Sequence, residues 1–240
     1  MVNFSNSRVT SRVTEYDVGL REYMIKVFNY MCVALCFTGF AAFATLETSF
    51  VNLFFSASAS GTGLSGIGWL FSLAPLFFVF FFSAKIHSVS PSTARLMLWV
   101  FSGLMGISLA PVFLMYTGES VARIFFITAS VFGAMSLYGY TTKRDLTGFG
   151  SFLIMGLIGI MIASLVNLFM QSAAVYFVTS VIGVLIFTGL TAYDVQRIVN
   201  VYRVLPAEAR DNAAVLGALS LYLDFINLFL MLLRLFGNRK

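Results

Sequence analysis

The chain has 240 residues, of which 59% are hydrophobic, 16% aromatic and only 10% charged, and its 15 basic and 10 acidic residues give a formal net charge of +5. Soluble domains carry roughly 25% charged residues, so this composition excludes an ordinary soluble domain. It also excludes a disordered chain, because disorder goes with many charges and few aromatic side chains. The composition predicts an integral membrane protein, whose basic excess reflects loop orientation and does not indicate a nucleic-acid partner.

Seven apolar stretches follow one another along the chain, each long enough for a membrane-spanning helix of roughly 20 residues. They cover residues 23–45, 67–84, 93–116, 121–140, 149–170, 173–193 with an extension to about 202, and 213–236. Continuous apolarity without alternation favours helices over barrel strands. We therefore predict an all-α polytopic membrane protein, with a single seven-helix domain over residues 1–240 and a polar cytoplasmic arm at 1–22.

Two short features within this pattern carry no chemistry of their own. Residues 56–68, between the first two stretches, are rich in Ser and Gly, which predicts a flexible external loop. The two cysteines, Cys32 and Cys36, lie four positions apart in the first stretch. We expect them to face one side of a buried helix as small hydrophobic residues, with neither a disulfide nor a metal site.

The basic residues are concentrated in alternate connections between the stretches. The N-terminal arm, counted together with Lys26 at the start of the first stretch, and the second-to-third, fourth-to-fifth and sixth-to-seventh connections hold eleven of them, whereas the opposite connections hold only Arg123. The positive-inside rule then predicts a cytoplasmic N-terminus. Arg234, Arg239 and Lys240 at the C-terminus disagree with seven crossings. Either the last helix is re-entrant or its short basic tail is translocated, and the length of 213–236 favours a full crossing.

Two acidic residues lie inside predicted spans, Asp194 in the sixth and Asp224 in the seventh. A carboxylate at membrane depth is costly and usually faces a bundle interior or a water-filled cavity. A helical hairpin with its turn near Ala209 places both residues 15 positions from the turn, at similar depth. Two carboxylates in one low-dielectric site do not both ionise easily, so we expect the pair to hold one proton over an extended pH range.

Simpler interpretations of each aspartate remain open at this point. Asp194 can pair with Arg197, one turn away on the same helix, as an interfacial ion pair without a further role. Asp224 can hydrogen-bond to a polar neighbour such as Asn227 or Asn167.

A protease is a further alternative, because a pair of intramembrane aspartates can activate water. Tyr193-Asp194 resembles the Tyr-Asp half of presenilin-like proteases. However, Asp224 follows Tyr222-Leu223, where those enzymes have Gly-x-Gly. Phosphate-binding loops, metal-ligand clusters and dinucleotide fingerprints are missing from the sequence, so we predict neither an enzyme nor a cofactor.

The segments around the two aspartates resemble a known family. Residues 191–198 (TAYDVQRI) and 218–237 (ALSLYLDFINLFLMLLRLFG) are similar to the last two helices of the Bax inhibitor family, in its bacterial branch. The seven spans, the basic inner loop at 143–145 and Asn167 agree with it. The resemblance implies six helices in three hairpins around the seventh. It also implies a di-aspartyl pH sensor formed by Asp194 and Asp224, and a pH-regulated calcium leak channel in the bacterial inner membrane.

The same resemblance suggests supporting residues and a second function. The family can place an arginine at the inner end of the second span as an alternative partner for the aspartates, where this chain has Lys85, which lacks the bidentate guanidinium fork. We include Lys85 with Arg197, Asn167 and Asn227 as supporting residues, and the two aspartates as candidate ligands of the transported calcium. The alternative function is a non-conducting membrane adaptor that modulates partner proteins in cell-death or membrane-protease regulation.

Overall fold

The protein is a bundle of membrane-spanning helices. The computed structural model describes residues 4–58 and 61–240, and in these it contains seven α-helices. They are α1 (Phe4–Glu47), α2 (Gly66–Lys85), α3 (Pro91–Met115), α4 (Gly118–Thr141), α5 (Thr147–Met170), α6 (Ala173–Val204) and α7 (Ala207–Phe236). Six are long and apolar enough to cross a membrane, and the apolar part of α2 is shorter, Gly66–Phe82. The predicted all-α membrane fold is confirmed.

The connection between α1 and α2 differs from the prediction. A 3-10 helix at Ser49–Phe54 leads into an antiparallel hairpin of β1 (Phe55–Ser58) and β2 (Gly61–Leu64), where the sequence predicted a flexible loop over 56–68. The backbone N–H of Ser65 donates to the carbonyl of Phe54 and closes this segment. The side chain of Ser65 then caps α2 by accepting from the N–H of Gly68, which explains why the helix begins at Gly66.

The C-terminal helix α7 lies at the centre of the bundle, as predicted. In its most apolar window 72% of the residues are buried, against 11% in α5. Helices α1, α3, α4 and α6 pack around it, while α2 packs on α3 and α5 packs on α6. The closest neighbours are not always consecutive helices, since α1 packs mainly on α3 and α4 mainly on α6. Of the three hairpins that the sequence predicted, α5 and α6 form a closely packed pair, whereas α1 and α2, and likewise α3 and α4, hardly touch each other in the described part of the chain.

Glycines allow the closest helix crossings. A Cβ added to Gly106 of α3 would collide with the carbonyl oxygen of Thr38 in α1, and one added to Gly139 of α4 would collide with that of Ala192 in α6. Gly150 of α5 likewise lies against the ring of Tyr193. Small residues permit such backbone approach in membrane bundles. As a result α6 is held between α4 and α5 at the residues directly before Asp194.

A polar contact joins three helices inside the bundle. The hydroxyl of Thr38 in α1 lies 2.7 Å from that of Tyr222 in α7 and within hydrogen-bond distance of the carbonyls of Ala34 and Ser102. Because the one hydroxyl proton of Thr38 serves these carbonyls, Tyr222 is the donor to Thr38. All four residues are buried. This contact fixes α7 against α1 and α3.

The end of the chain settles whether α7 crosses completely. The carbonyl of Asn238 accepts from the N–H of Thr117, and the N–H of Lys240 donates to the carbonyl of Met115. The guanidinium groups of Arg234 and Arg239 lie 5.4 Å and 5.9 Å from the ring centroid of Tyr176, near the start of α6. The tail therefore lies at the α3–α4 end of the bundle, so α7 runs from one end of the bundle to the other without turning back.

Candidate functional site

The turn between α6 and α7 lies earlier than the sequence predicted. Leu205 and Pro206 are extended and separate the two helices, whereas the prediction placed the turn near Ala209. The polar residues 207–212 (AEARDN) continue into α7 because Ala, Glu and Arg favour helix, Pro206 precedes the first turn and Glu208 complements its dipole. Asp194 and Asp224 are consequently not equally distant from the turn.

The two aspartates nevertheless meet. Gly217 lies against Ile198, and Gly183 lies against Met231, which sets the register of α6 and α7. In that register Asp224 lies about one helical turn, roughly 5 Å, from the level of Asp194. Side chains on a helix lean toward its N-terminus, and in this antiparallel pair the two leans point toward each other. The carboxyl groups of Asp194 and Asp224 are within hydrogen-bond distance of each other.

The two carboxyl groups have different surroundings. Asp224 is 6% exposed, and among the described residues its Oδ2 accepts no hydrogen bond from an N–H or O–H donor. The side chain of Asp194 is 14% exposed, and its Oδ1 lies 3.7 Å from Nη1 of Arg197, whose own side chain is 55% exposed. The Asp194–Arg197 pair considered from the sequence is thus present, but it is long and it coexists with the contact to Asp224.

The two asparagines do not bind Asp224. Asn227 donates from Nδ2 to the carbonyl of Leu223 at 2.8 Å, within its own helix. Asn167 accepts from the N–H of Ser172 at 2.9 Å and so caps the end of α5, where Gln171 is left-handed. Asp194 is 21 positions beyond the start of α6, about 30 Å along the helix. The prediction that Asn167 supports the aspartates is therefore wrong, because its amide closes the α5–α6 turn.

Lys85 is likewise not brought to the pair. It is the exposed last residue of α2, and within the described part of the chain it forms no ion pair with Asp194 or Asp224. The inner end of α2 is instead held by α7, through hydrogen bonds from Nδ2 of Asn212 to the carbonyls of Ile86 and Val89. Beside it, Lys26 of α1 pairs with Asp211 at 2.5 Å. These polar ties connect α1, α2 and α7 at the end of the bundle assigned to the cytoplasm.

A cavity of about 850 Å³ between α6 and α7 reaches Asp194 from this inner end; we call it the α6–α7 cavity. It is lined by Asp194 and Arg197, and by polar residues whose place in the site the sequence did not indicate: Asn200, Glu208, Asn212 and Ser220. Asp224 is not part of its lining. The arrangement places one carboxyl group at the cavity wall and the other behind it, in the packed interior.

The site offers few ligands for a metal. Two carboxyl groups supply at most four oxygens, whereas calcium takes about six to eight. Among the described residues there is no group of three or more His, Cys, Asp or Glu side chains that could hold a metal ion. The two carboxyl groups alone therefore do not complete the coordination shell of a calcium ion. Cys32 and Cys36 do not contribute to the site. Both are exposed on the outer face of α1, whereas the sequence predicted that they would be buried.

The fold and the site define a polytopic helical membrane protein with a pair of carboxyl groups in its interior. The family model described as inhibitor of apoptosis-promoting Bax1 matches residues 20–240. A protein of Rickettsia prowazekii is 46% identical over 243 residues that cover all of both chains. The inner membrane protein YbhL of Escherichia coli is 45% identical over 95% of this chain and 96% of its own length. A membrane protein of Streptococcus pyogenes is 37% identical over 94% of this chain and 96% of its own length.

The chain therefore belongs to the Bax inhibitor family, as the segments around Asp194 and Asp224 predicted. It is an integral membrane protein of the bacterial inner membrane.

Proposed function

We propose that the protein is a pH-regulated cation leak channel, with calcium as the transported ion and Asp194 and Asp224 as its proton switch. The observation that carries this proposal is the contact between two carboxyl groups inside the bundle, one of them 6% exposed. Burying an acidic pair at membrane depth costs free energy without improving packing. A functional role explains why the bundle retains both groups.

The mechanism follows from the chemistry of the pair. With one proton between them, the two carboxyl groups share a hydrogen bond and α6 stays packed on α7. Loss of that proton leaves two like charges in a low-dielectric site, where their repulsion is strong. Separation of the helices or the arrival of a cation relieves it. Ionisation thus both changes the packing of α6 against α7 and attracts a divalent cation.

The α6–α7 cavity supplies the approach to the pair. Its lining is mostly apolar, but its polar side chains give water and cations a route to Asp194 from the inner end, and Arg197 competes with them for the same carboxyl group. Asp224 has no such access in this conformation, because it lies behind the cavity wall. A protease would need both carboxyl groups open to a substrate backbone, so the burial of Asp224 favours a switch over a protease.

Reconstituted protein in liposomes loaded with a calcium-sensitive dye tests the proposal. We expect calcium flux to change with pH, and the nearly isosteric variants Asp194→Asn and Asp224→Asn each to flatten that dependence. Glu208→Gln is the matched control, because Glu208 lines the same cavity but is exposed and outside the pair. A pH profile that is unchanged in both aspartate variants would contradict the proton switch. Liposomes that show no flux at any pH would instead favour the adaptor.

A further inference from the structure

A second polar cavity lies beside the inner end of α6. It has a volume of about 380 Å³ and is bounded by the end of α4, the α4–α5 connection and the last turns of α6. We call it the basic cavity, because its lining contains Lys143, Arg144 and Arg203, against the single carboxylate of Asp145. In the part of the chain that the structure describes, none of the three cations forms an ion pair.

The wall of this cavity is held in place by side-chain hydrogen bonds. Gln196 of α6 donates from Nε2 to the carbonyl of Arg144 at 2.7 Å and accepts from the N–H of Leu146 at 2.8 Å. The N–H of Arg144 also donates to Oγ1 of Thr142. The loop that carries two of the cations is therefore fixed to α6 before any ligand arrives, which lowers the ordering cost of binding.

The one acidic residue of the cavity is already engaged. Oδ1 of Asp145 accepts from the N–H of Thr147 at 2.9 Å and from its hydroxyl at 2.6 Å, at the start of α5. These hydrogen bonds stabilise the carboxylate and hold the pKa of Asp145 below its usual value. Asp145 thus organises the first turn of α5 and stays ionised, and its single negative charge against three cations leaves the cavity with an excess of positive charge.

The positive-inside rule alone accounts for basic residues in this connection, but not for their convergence on one cavity. Lys143 and Arg144 come from the loop, whereas Arg203 comes from α6, about 60 positions later in the sequence. Threonine hydroxyls and the amide of Asn200 complete a polar lining. Converging guanidinium and ammonium groups with few competing carboxylates are the usual surroundings of a phosphate group.

We propose that the basic cavity binds a phosphate-bearing anion, and that its occupant in the membrane is the headgroup of an anionic phospholipid. The cavity lies where α4 and α6 end and α5 begins, at the end of the spans that the positive-inside rule assigns to the cytoplasm. Basic pockets between spanning helices on this side are typical sites for acidic lipids. The proposal does not depend on the aspartate pair or on transport.

Lipid binding to the purified protein in detergent tests this site. The probes are short-chain phosphatidylglycerol, the neutral phosphatidylcholine of equal chain length, and inorganic phosphate, with Tm as the readout and native mass spectrometry to count retained lipids. We expect phosphatidylglycerol to raise Tm more than phosphatidylcholine does. Loss of one cation should weaken its apparent affinity about fivefold, and loss of two about 30-fold. The variants are Arg203→Gln and the double substitution Arg144→Gln with Arg203→Gln.

Lys85→Gln is the matched control, since Lys85 is also an exposed cation at the inner end of a helix but does not line the cavity. The proposal requires that this control bind phosphatidylglycerol like the parent protein. Inorganic phosphate that raises Tm in the parent but not in the double variant would support the anion site and identify a soluble occupant in place of a lipid. Equal binding of phosphatidylglycerol by the parent and the double variant would overturn the proposal.

Discussion

Helices α5 and α7 have similar apolar composition, but α5 lies at the periphery of the bundle and α7 at its centre. The most apolar window of α5 has a mean hydropathy of 2.4 and is 11% buried, whereas that of α7 has a mean hydropathy of 2.0 and is 72% buried. The more apolar helix faces the lipid, and the helix with an aspartate lies at the centre. In a soluble protein the reverse is expected, because there burial removes apolar surface from water.

The difference shows what decides position inside a bilayer. Lipid tails are as apolar as leucine, so burying α5 against protein would gain little. By contrast, Asp224 and Tyr222 of α7 need partners that lipid does not provide. The central helix is therefore the one whose polar side chains need hydrogen-bond partners. The sequence feature that identifies it is the presence of these polar residues inside the span, not its mean hydropathy.

The largest effect is expected when one leucine in each helix is replaced by alanine. Leu228 of α7 is fully buried, whereas Leu165 of α5 is 62% exposed. Leu228→Ala leaves a cavity inside the bundle and should cost about 2–5 kcal/mol. Leu165→Ala leaves space that lipid or detergent fills, so its cost should stay under about 1 kcal/mol. Thermal unfolding of both variants in the same detergent measures the difference, and equal losses of Tm would refute the comparison.

A second pair of variants probes backbone contact. Gly139→Ala places a methyl group against the backbone of Ala192 and should destabilise by about 1–3 kcal/mol as α4 and α6 move apart. Gly159 of α5 has no neighbouring atom within 4 Å of an added Cβ, so Gly159→Ala should be neutral or stabilise by up to about 1 kcal/mol. Tm values separate the two outcomes. A neutral Gly139→Ala would mean that the α4–α6 contact adapts.

A smaller effect is expected from the polar contact of the central helix. Tyr222→Phe removes the hydrogen bond to Thr38 and should cost about 0.6 kcal/mol and at most about 1.7 kcal/mol, the range for such bonds in membrane proteins. Tyr138→Phe is the control, because Tyr138 is 45% exposed. Chemical or thermal unfolding of both variants gives the comparison. A Tyr222→Phe protein as stable as the parent would show that this contact does not hold α7 in place.

The smallest effect lies outside the bundle, at Asp145. Its hydrogen bonds with Thr147 lower the pKa of the folded state below that of the unfolded state. The stabilisation is therefore present above the pKa of the unfolded chain and is lost as the pH falls through the folded value. We expect Asp145→Asn to lower Tm slightly at neutral pH and to match the parent protein at acid pH. A Tm difference that grows toward acid pH would have the wrong sign.

Much of the fold follows from the sequence because membrane spans are long and continuous. The boundaries of α2 to α5 lie within three residues of the predicted stretches, since each stretch ends in polar, Gly or Pro residues. The pairing of Asp194 with Asp224 was also predictable, because few acidic residues occur inside spans. The argument from equal distances to a turn near Ala209 was wrong. The register set by Gly217 and Gly183 and the lean of the side chains bring the pair together instead.

Other errors have a common physical cause. The exposure of Cys32 and Cys36 and the distance of Asn167 from the pair depend on which face of a helix meets the lipid and how far along the helix a residue lies. An apolar sequence does not distinguish a protein-facing surface from a lipid-facing one. The pattern therefore predicted neither the exposure of the two cysteines nor the distance of Asn167 from the aspartates. The basic cavity was missed for a related reason, because Arg203 joins the loop cations only in the folded bundle.

The most direct test of the central claim is a double-mutant cycle on calcium flux. Flux into liposomes is measured across a pH series for the parent protein, Asp194→Asn, Asp224→Asn and the double variant. If the two carboxyl groups act as one proton switch, either single substitution should remove the pH dependence and the double variant should match them. Single variants that each keep part of the dependence, with losses that add in the double variant, would contradict a coupled pair.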